Sequence, residues 1–177
     1  MTAPSEEHRR GTAPYPLLRD GAAEIIGDIG YATMTTVDRR GRPRSRVLIA
    51  VWELDREVPV GWLGTFPTPV KLAHLADNPH ATFSYWSPRQ DTVALDTVTR
   101  WDDSQATAER VWELYGRGSP PGSGYDPGRF WRGPDDPSFR VLRLDPWRIQ
   151  VLRGRDLAAG RPPLIWRATP DRAGADR

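Results

Sequence analysis

A chain of 177 residues with a formal net charge of +2 has the size of one domain, and its charge balance demands no nucleic-acid or acidic partner. The absence of cysteine excludes disulfides, thiol catalysis and a cysteine-ligated metal. No apolar run reaches membrane-spanning length and the opening MTAPSEEHRRG holds no hydrophobic signal core, so a cytoplasmic protein with no membrane partner is expected.

Residues 1–14 are polar and are expected to be disordered, as is the tail 168–177, leaving one domain over 15–167. A first helix is expected over 17–28, with Leu17, Leu18, Ala22, Ile25 and Ile26 on its apolar face. Residues 31–37 are β-rich, Asp38-Arg39-Arg40-Gly41 makes a turn, and 43–52 reads as the return strand of a hairpin. In that strand Arg42, Arg44 and Arg46 share one face, while Ser45, Val47, Ile49 and Val51 share the other. The run RRGRPRSR has the look of a nucleic-acid patch, but it lies on a hairpin turn and gives way at once to apolar residues. Arg46, last before the apolar run, is the arginine best placed to touch a ligand.

The stretch GWLGTFPTPVKLAHLADNP, residues 61–79, organises the chain. It reads as a buried strand over 61–65, a proline-rich turn and a short helix. Thr68 stands at the N-cap, Pro69 opens the helix and Asn78-Pro79 stops it, with Val70, Leu72, Ala73, Leu75 and Ala76 expected to form its buried face. Among 25 basic residues Lys71 is the sole lysine; the remaining 24 are arginines. A cation in a first helical turn opposes the helix dipole unless an anion binds there. Free N–H groups, the hydroxyls of Thr65 and Thr68 and the Lys71 ammonium together make a phosphate site, against the plainer reading of a solvated surface lysine.

Further strands are expected over 80–86 and 92–101, the latter with Val93, Leu95, Thr97 and Thr99 on one face. A helix follows from about 105 to 115, carrying Ala108, Val111, Trp112 and Tyr115 on one side. Residues 116–137 are too rich in glycine and proline for regular structure. Their Tyr125, Phe130 and Trp131 either close over a site or pin a surface loop. Two short strands are expected over 139–144 and 147–152 around Asp145-Pro146, and one more over 163–167. The sum is a mainly β, α+β domain: a small barrel of six to seven mostly antiparallel strands with two to three short helices.

Four patches in this order resemble the pyridoxamine 5′-phosphate oxidase-like superfamily, the flavin-binding split β-barrel. They are YATMTTVDRRGRPRSRVL (31–48), Thr65 with Lys71 six residues on, LAHLADNP with the strand after it, and TVTRWDDSQATAERVWELY (97–115). The resemblance implies a homodimer with flavin mononucleotide (FMN) held between subunits: Arg46, Thr65 and Lys71 on the phosphate, the backbone of Val47 and Leu48 along the ring. Thr68 is added from its place at the helix start. It implies an FMN-dependent oxidoreductase moving a hydride between the flavin and a nicotinamide or small organic substrate, with no side chain identified as catalytic. The sequence departs from the family in having Val70 where an arginine often precedes the lysine, and Ile49-Ala50-Val51 where a lysine often follows. With no histidine after His80, it lacks the substrate pattern of the authentic oxidase. Two alternatives share the fold: a reductase using the deazaflavin coenzyme F420, and a non-catalytic flavin or haem carrier with His74 as the haem ligand. His74 lies between apolar neighbours, which favours a packed or hydrogen-bonded histidine, and the three histidines form no metal-ligand spacing.

Overall fold

The computed structural model describes residues 12–117 and 125–169. Among them are four α-helices, α1 (Tyr15–Ile29), α2 (Pro69–Asp77), α3 (Gln105–Arg117) and α4 (Gly154–Ala158). The strands are β1 (Ala32–Val37), β2 (Pro43–Leu48), β3 (Val51–Glu53), β4 (Val60–Thr65), β5 (His80–Trp86), β6 (Thr92–Asp102), β7 (Arg140–Leu152) and β8 (Leu164–Arg167). They form one antiparallel sheet in the order β2-β1-β5-β6-β7-β4-β3, with β8 beside the second half of β7. The two end strands, β2 and β3, are consecutive in the chain, so the two residues between them join the ends of the sheet and shut it into a barrel.

That closure explains one difference from the sequence expectation. The return strand predicted over 43–52 breaks at Ile49 and Ala50, because its two halves serve opposite ends of the sheet. At the break the Tyr115 hydroxyl donates to the Ile49 carbonyl at 2.8 Å and accepts from the Gly64 amide at 3.1 Å, satisfying groups that a ladder would otherwise pair. A second difference lies in β7. Pro146 suggested a turn between two strands, but β7 runs unbroken, and the missing donor is absorbed by a bulge. Thr97 pairs with Pro146 and Asp96 with Arg148, which leaves Trp147 as the extra residue.

The core divides in two. Inside the barrel Met34, Phe83, Leu95, Leu142, Leu144 and Ile149 are fully buried, and α1 plugs them with Leu18, Ala22, Ile25 and Ile26 at the period the sequence shows. Helix α1 starts two residues earlier than expected, and Gly30 at φ 70° ends it. Trp52 turns inward to donate to the Tyr85 hydroxyl at 2.7 Å, and its ring lies where a side chain at Gly61 would stand, only 2.4 Å from a Cβ built there. Outside the barrel, α3 buries Ala108, Val111 and Tyr115 against Val51, Val60, Trp62 and Val141.

The segment 125–139 supplies Trp131 and Phe139 to this outer cluster, so its aromatics do pin a loop. Phe130 remains 55% exposed. The expectation for residues 118–124 lies outside the described residues, as do those for 1–11 and 170–177. Thr12 and Ala13, expected to be disordered, instead run beside β8, with the Ala13 amide donating to the Ile165 carbonyl at 2.6 Å. Ala168, assigned to the tail, likewise bonds the Trp147 carbonyl at 3.0 Å.

Candidate functional site

The site begins with a turn. The Asp38 carboxylate accepts from the amides of Arg40 at 2.8 Å and Arg42 at 3.0 Å and from the Arg42 guanidinium at 2.8 Å, while Gly41 takes φ 76°. These donors hold the Asp38 carboxyl far below the usual carboxylate range, the Arg42 amide having the largest effect. The turn fixes the β1–β2 register: Met34 opposite Arg46 and Thr36 opposite Arg44. Cross-strand partners share a face, so Arg44 and Arg46 stand on the face of two fully buried residues. Arg46 Nη2 donates to Thr36 Oγ1 at 3.0 Å, and Nη1 lies 3.9 Å from Met34 Sδ. Val47 points the other way and is 69% exposed. Leu48 is half-buried against the core.

The second half of the site is β4 and α2. Thr65 ends the strand, Phe66 and Pro67 turn the chain, and Lys71 reaches back from the helix. Its ammonium donates to Thr65 Oγ1 and, at 2.9 Å, to the Phe66 carbonyl. Lys71 is 5% exposed, so it is no solvated surface lysine. Burial, and then the neighbouring Arg46 guanidinium, push its pKa down to about 8. Arg46 is lowered too, by its own burial and then by Arg44.

The helix corrects the expectation made for it. Only Lys71 and Leu75 of α2 are buried; Ala73 and Ala76 are exposed, Val70 is 41% exposed and Leu72 is 37% exposed. A nine-residue helix lying across β1 has room to bury one narrow stripe, and here the lysine occupies it. Thr68 is the N-cap by position, but its side chain makes no cap hydrogen bond and is exposed. His74 Nδ1 lies 3.1 Å from Thr36 Oγ1, which engages it with the same hydroxyl that Arg46 uses.

Arg46, Thr65 and Lys71 therefore converge, with Thr36, Met34 and His74 completing the surround. Thr36 escaped the sequence reading, although the turn fixes a register that sets it on the face of the arginines. Among the described residues no carboxylate pairs with Lys71 or Arg46, although ion pairs elsewhere engage twelve arginines. Two cations, one of them buried, thus stand beside a hydroxyl with no carboxylate partner among the described residues, a cradle-like arrangement whose chemistry suits an anion.

Solved structures with the same architecture come from several bacteria. General stress protein 26 of Bacillus anthracis superposes with a TM-score of 0.63 at 16% identity, over 85% of this chain and 98% of that one. A related protein of Clostridium acetobutylicum, from the pyridoxinephosphate oxidase family, gives 0.63 at 13% over 85% and 94%. A NimC/NimA family protein of the same species gives 0.62 at 16% over 90% and 99%. No family model and no curated protein matches the sequence. The chain has the split-barrel fold of the pyridoxamine 5′-phosphate oxidase-like proteins. Among the described residues no helix is long and apolar enough to cross a membrane.

Proposed function

We propose that the protein is an FMN-binding oxidoreductase whose cofactor phosphate sits on Arg46, Thr65 and Lys71. The observation that supports this reading is the buried Lys71 ammonium beside Arg46 with no carboxylate partner among the described residues. A phosphate monoester offers the missing charge and enough acceptor oxygens for both cations. The start of α2 adds its dipole and free amides, and Thr68 at the helix start is the position nearest in sequence to a further hydroxyl donor. The main chain of Val47 and Leu48 belongs to an end strand, paired only with β1, and is the segment to lie along the ring.

Bound there, the flavin supplies hydride chemistry toward a nicotinamide or a small organic substrate. The chain's own residues anchor the phosphate, orient the ring and exclude water. Binding of a dianion favours the protonated Lys71, so the lysine takes up a proton on binding above about pH 8. Val47, Phe66, Val70 and Leu72 leave apolar surface open around the cradle. A second copy of the chain, closing over them, would complete the cleft of a homodimer in the cytoplasm.

One observation favours a second reading on the same cradle. Val70, 41% exposed, leaves the anchor with two cations, which suits the diester phosphate of F420 better than the more highly charged monoester. An absorption spectrum of freshly purified protein, with mass spectrometry of the material released on denaturation, tests both. Released FMN supports the first reading; F420, or apoprotein that prefers added F420 to FMN, supports the second. Binding of neither removes the oxidoreductase assignment.

A further inference from the structure

Helix α2 brings two polar side chains to the cradle. Lys71 and His74 stand at i and i+3, so they share the face that lies over β1. Lys71 bonds Thr65 and Phe66 directly, whereas His74 meets Thr36, its Nδ1 3.1 Å from the hydroxyl. Thr36 is fully buried, and its hydroxyl has one proton and two lone pairs to satisfy. A guanidinium has no acceptor, so Arg46 Nη2 donates at 3.0 Å and Thr36 Oγ1 accepts. The Thr36 proton therefore needs an acceptor of its own. Among the described residues the other partner of this hydroxyl is His74 Nδ1. Were Nδ1 to carry a hydrogen, the hydroxyl would accept twice and its own buried proton would be stranded. The arrangement selects the neutral tautomer with its proton on Nε2.

We infer that His74 is a positioning residue for the cofactor phosphate, acting through Thr36 on Arg46. The inference rests on the phosphate reading of the cradle and goes beyond it by giving the neighbouring histidine a task. Donation to His74 makes the Thr36 oxygen a stronger acceptor and turns its lone pairs toward Arg46. Arg46 Nη1 meets the weak acceptor Met34 Sδ at 3.9 Å, so the Thr36 bond is the one that sets the guanidinium. Its remaining N–H groups are left for the anion. One helix thus spaces both cations: Lys71 by its own side chain, Arg46 through Thr36 and His74. A proton on Nε2 also withholds the lone pair that a haem iron requires, which sets this role against that of a haem ligand.

The test uses the full chain and calorimetry with FMN, F420 and haem. It compares the natural protein with His74→Leu, His74→Asn, Arg46→Gln and the double variant His74→Leu/Arg46→Gln. His74→Leu removes the acceptor and should weaken binding of FMN, or of F420 if that is the ligand, about fivefold. His74→Asn, whose side-chain oxygen accepts from Thr36, should recover most of that loss. In the Arg46→Gln background His74→Leu should cost less than about twofold, because its route to the anion is already cut. Nitrogen NMR of histidine-labelled protein at about pH 9, where free imidazole is neutral, should show the His74 proton on Nε2. The resonance is assigned by its loss in His74→Asn. If His74→Leu does not fold, the tautomer decides, since a proton on Nδ1 removes the acceptor on which the role depends. A proton on Nδ1, equal costs of His74→Leu in both backgrounds, or no recovery by asparagine overturns the inference and leaves the anchor standing. Haem that binds the natural chain but not His74→Asn overturns it in favour of a ligand role. If neither FMN nor F420 binds the natural chain, the phosphate reading falls and the positioning role with it, whatever the tautomer.

Discussion

Two partly buried cation sites in the same barrel are built on opposite terms. On β6 and β7, Arg148 reaches Asp96 at 2.9 Å with both side chains 19% exposed, and Asp96 also accepts from Thr82 at 2.8 Å. That charge is neutralised within the fold. At the mouth of β2 and β4, Arg46 donates to the Thr36 hydroxyl and Lys71 to the Thr65 hydroxyl and the Phe66 carbonyl, with no carboxylate on either among the described residues. The first arrangement looks after the protein's own stability. The second leaves a buried ammonium without a counter-charge, which costs stability, and the anion of the proposed cofactor would supply that charge.

The sharpest way to break this contrast is Lys71→Met. FMN affinity should fall by about 100-fold, the loss of a charge-assisted phosphate contact, as read by calorimetry. Apoprotein stability at pH 7 should rise, because the native state no longer holds an ammonium whose pKa is depressed to about 8 from 10.5, a cost of about 3 kcal/mol when fully expressed. The sign follows from linkage. The unfolded chain binds the extra proton between these two values, so natural apoprotein should gain stability as pH rises from about 8 to 10.5, and the variant should not. Ligand affinity should move oppositely, declining above pH 8. A lysine variant that loses both stability and affinity would show that Lys71 serves the fold.

Arg148→Met provides the opposite signature. Chemical denaturation should show a loss of about 2 kcal/mol, since it strands Asp96, while FMN affinity stays unchanged. Arg46→Gln should weaken FMN about tenfold with little change in unfolding, a smaller effect than that of Lys71 because Arg46 is less buried. Thr68→Ala should be the mildest. With no cap hydrogen bond to lose, its stability should change by less than about 0.5 kcal/mol, well below an ordinary N-cap deletion. A full capping loss of about 1 kcal/mol in thermal unfolding would mean that Thr68 does cap α2.

The same contrast explains what could be read from the chain. Strand β6 was legible to the residue face, because Val93, Leu95, Thr97 and Thr99 alternate inward as their spacing requires. The joining of Arg46, Thr65 and Lys71 was legible from resemblance and from the isolation of one lysine at a helix start. Helix α2 misled because its many apolar residues satisfy helical spacing, while the sequence cannot say that surface near a cradle stays open. Thr36 was hidden because its role depends on cross-strand register and on α2 lying over β1. The bulge at Trp147 was hidden for a related reason: a proline near a turn-forming aspartate looks the same whether the strand stops or bends.

The order in which the sheet is wired sets a timetable for synthesis. Strand β4 finds its principal neighbour in β7, where Gly61 pairs with Leu144 and Thr65 with Arg140. The intervening chain is roughly eighty residues, so at about 10 residues per second β4 leaves the ribosome several seconds before β7 exists. Until then β4 has the three-residue β3 on one edge and nothing from β7 on the other, and Trp62 and Leu63 lack their final cover. A newly made chain thus passes through an interval in which the strand ending at Thr65 is open to chaperones or to a neighbouring chain, and the cradle can be assembled only after the barrel's last long strand emerges.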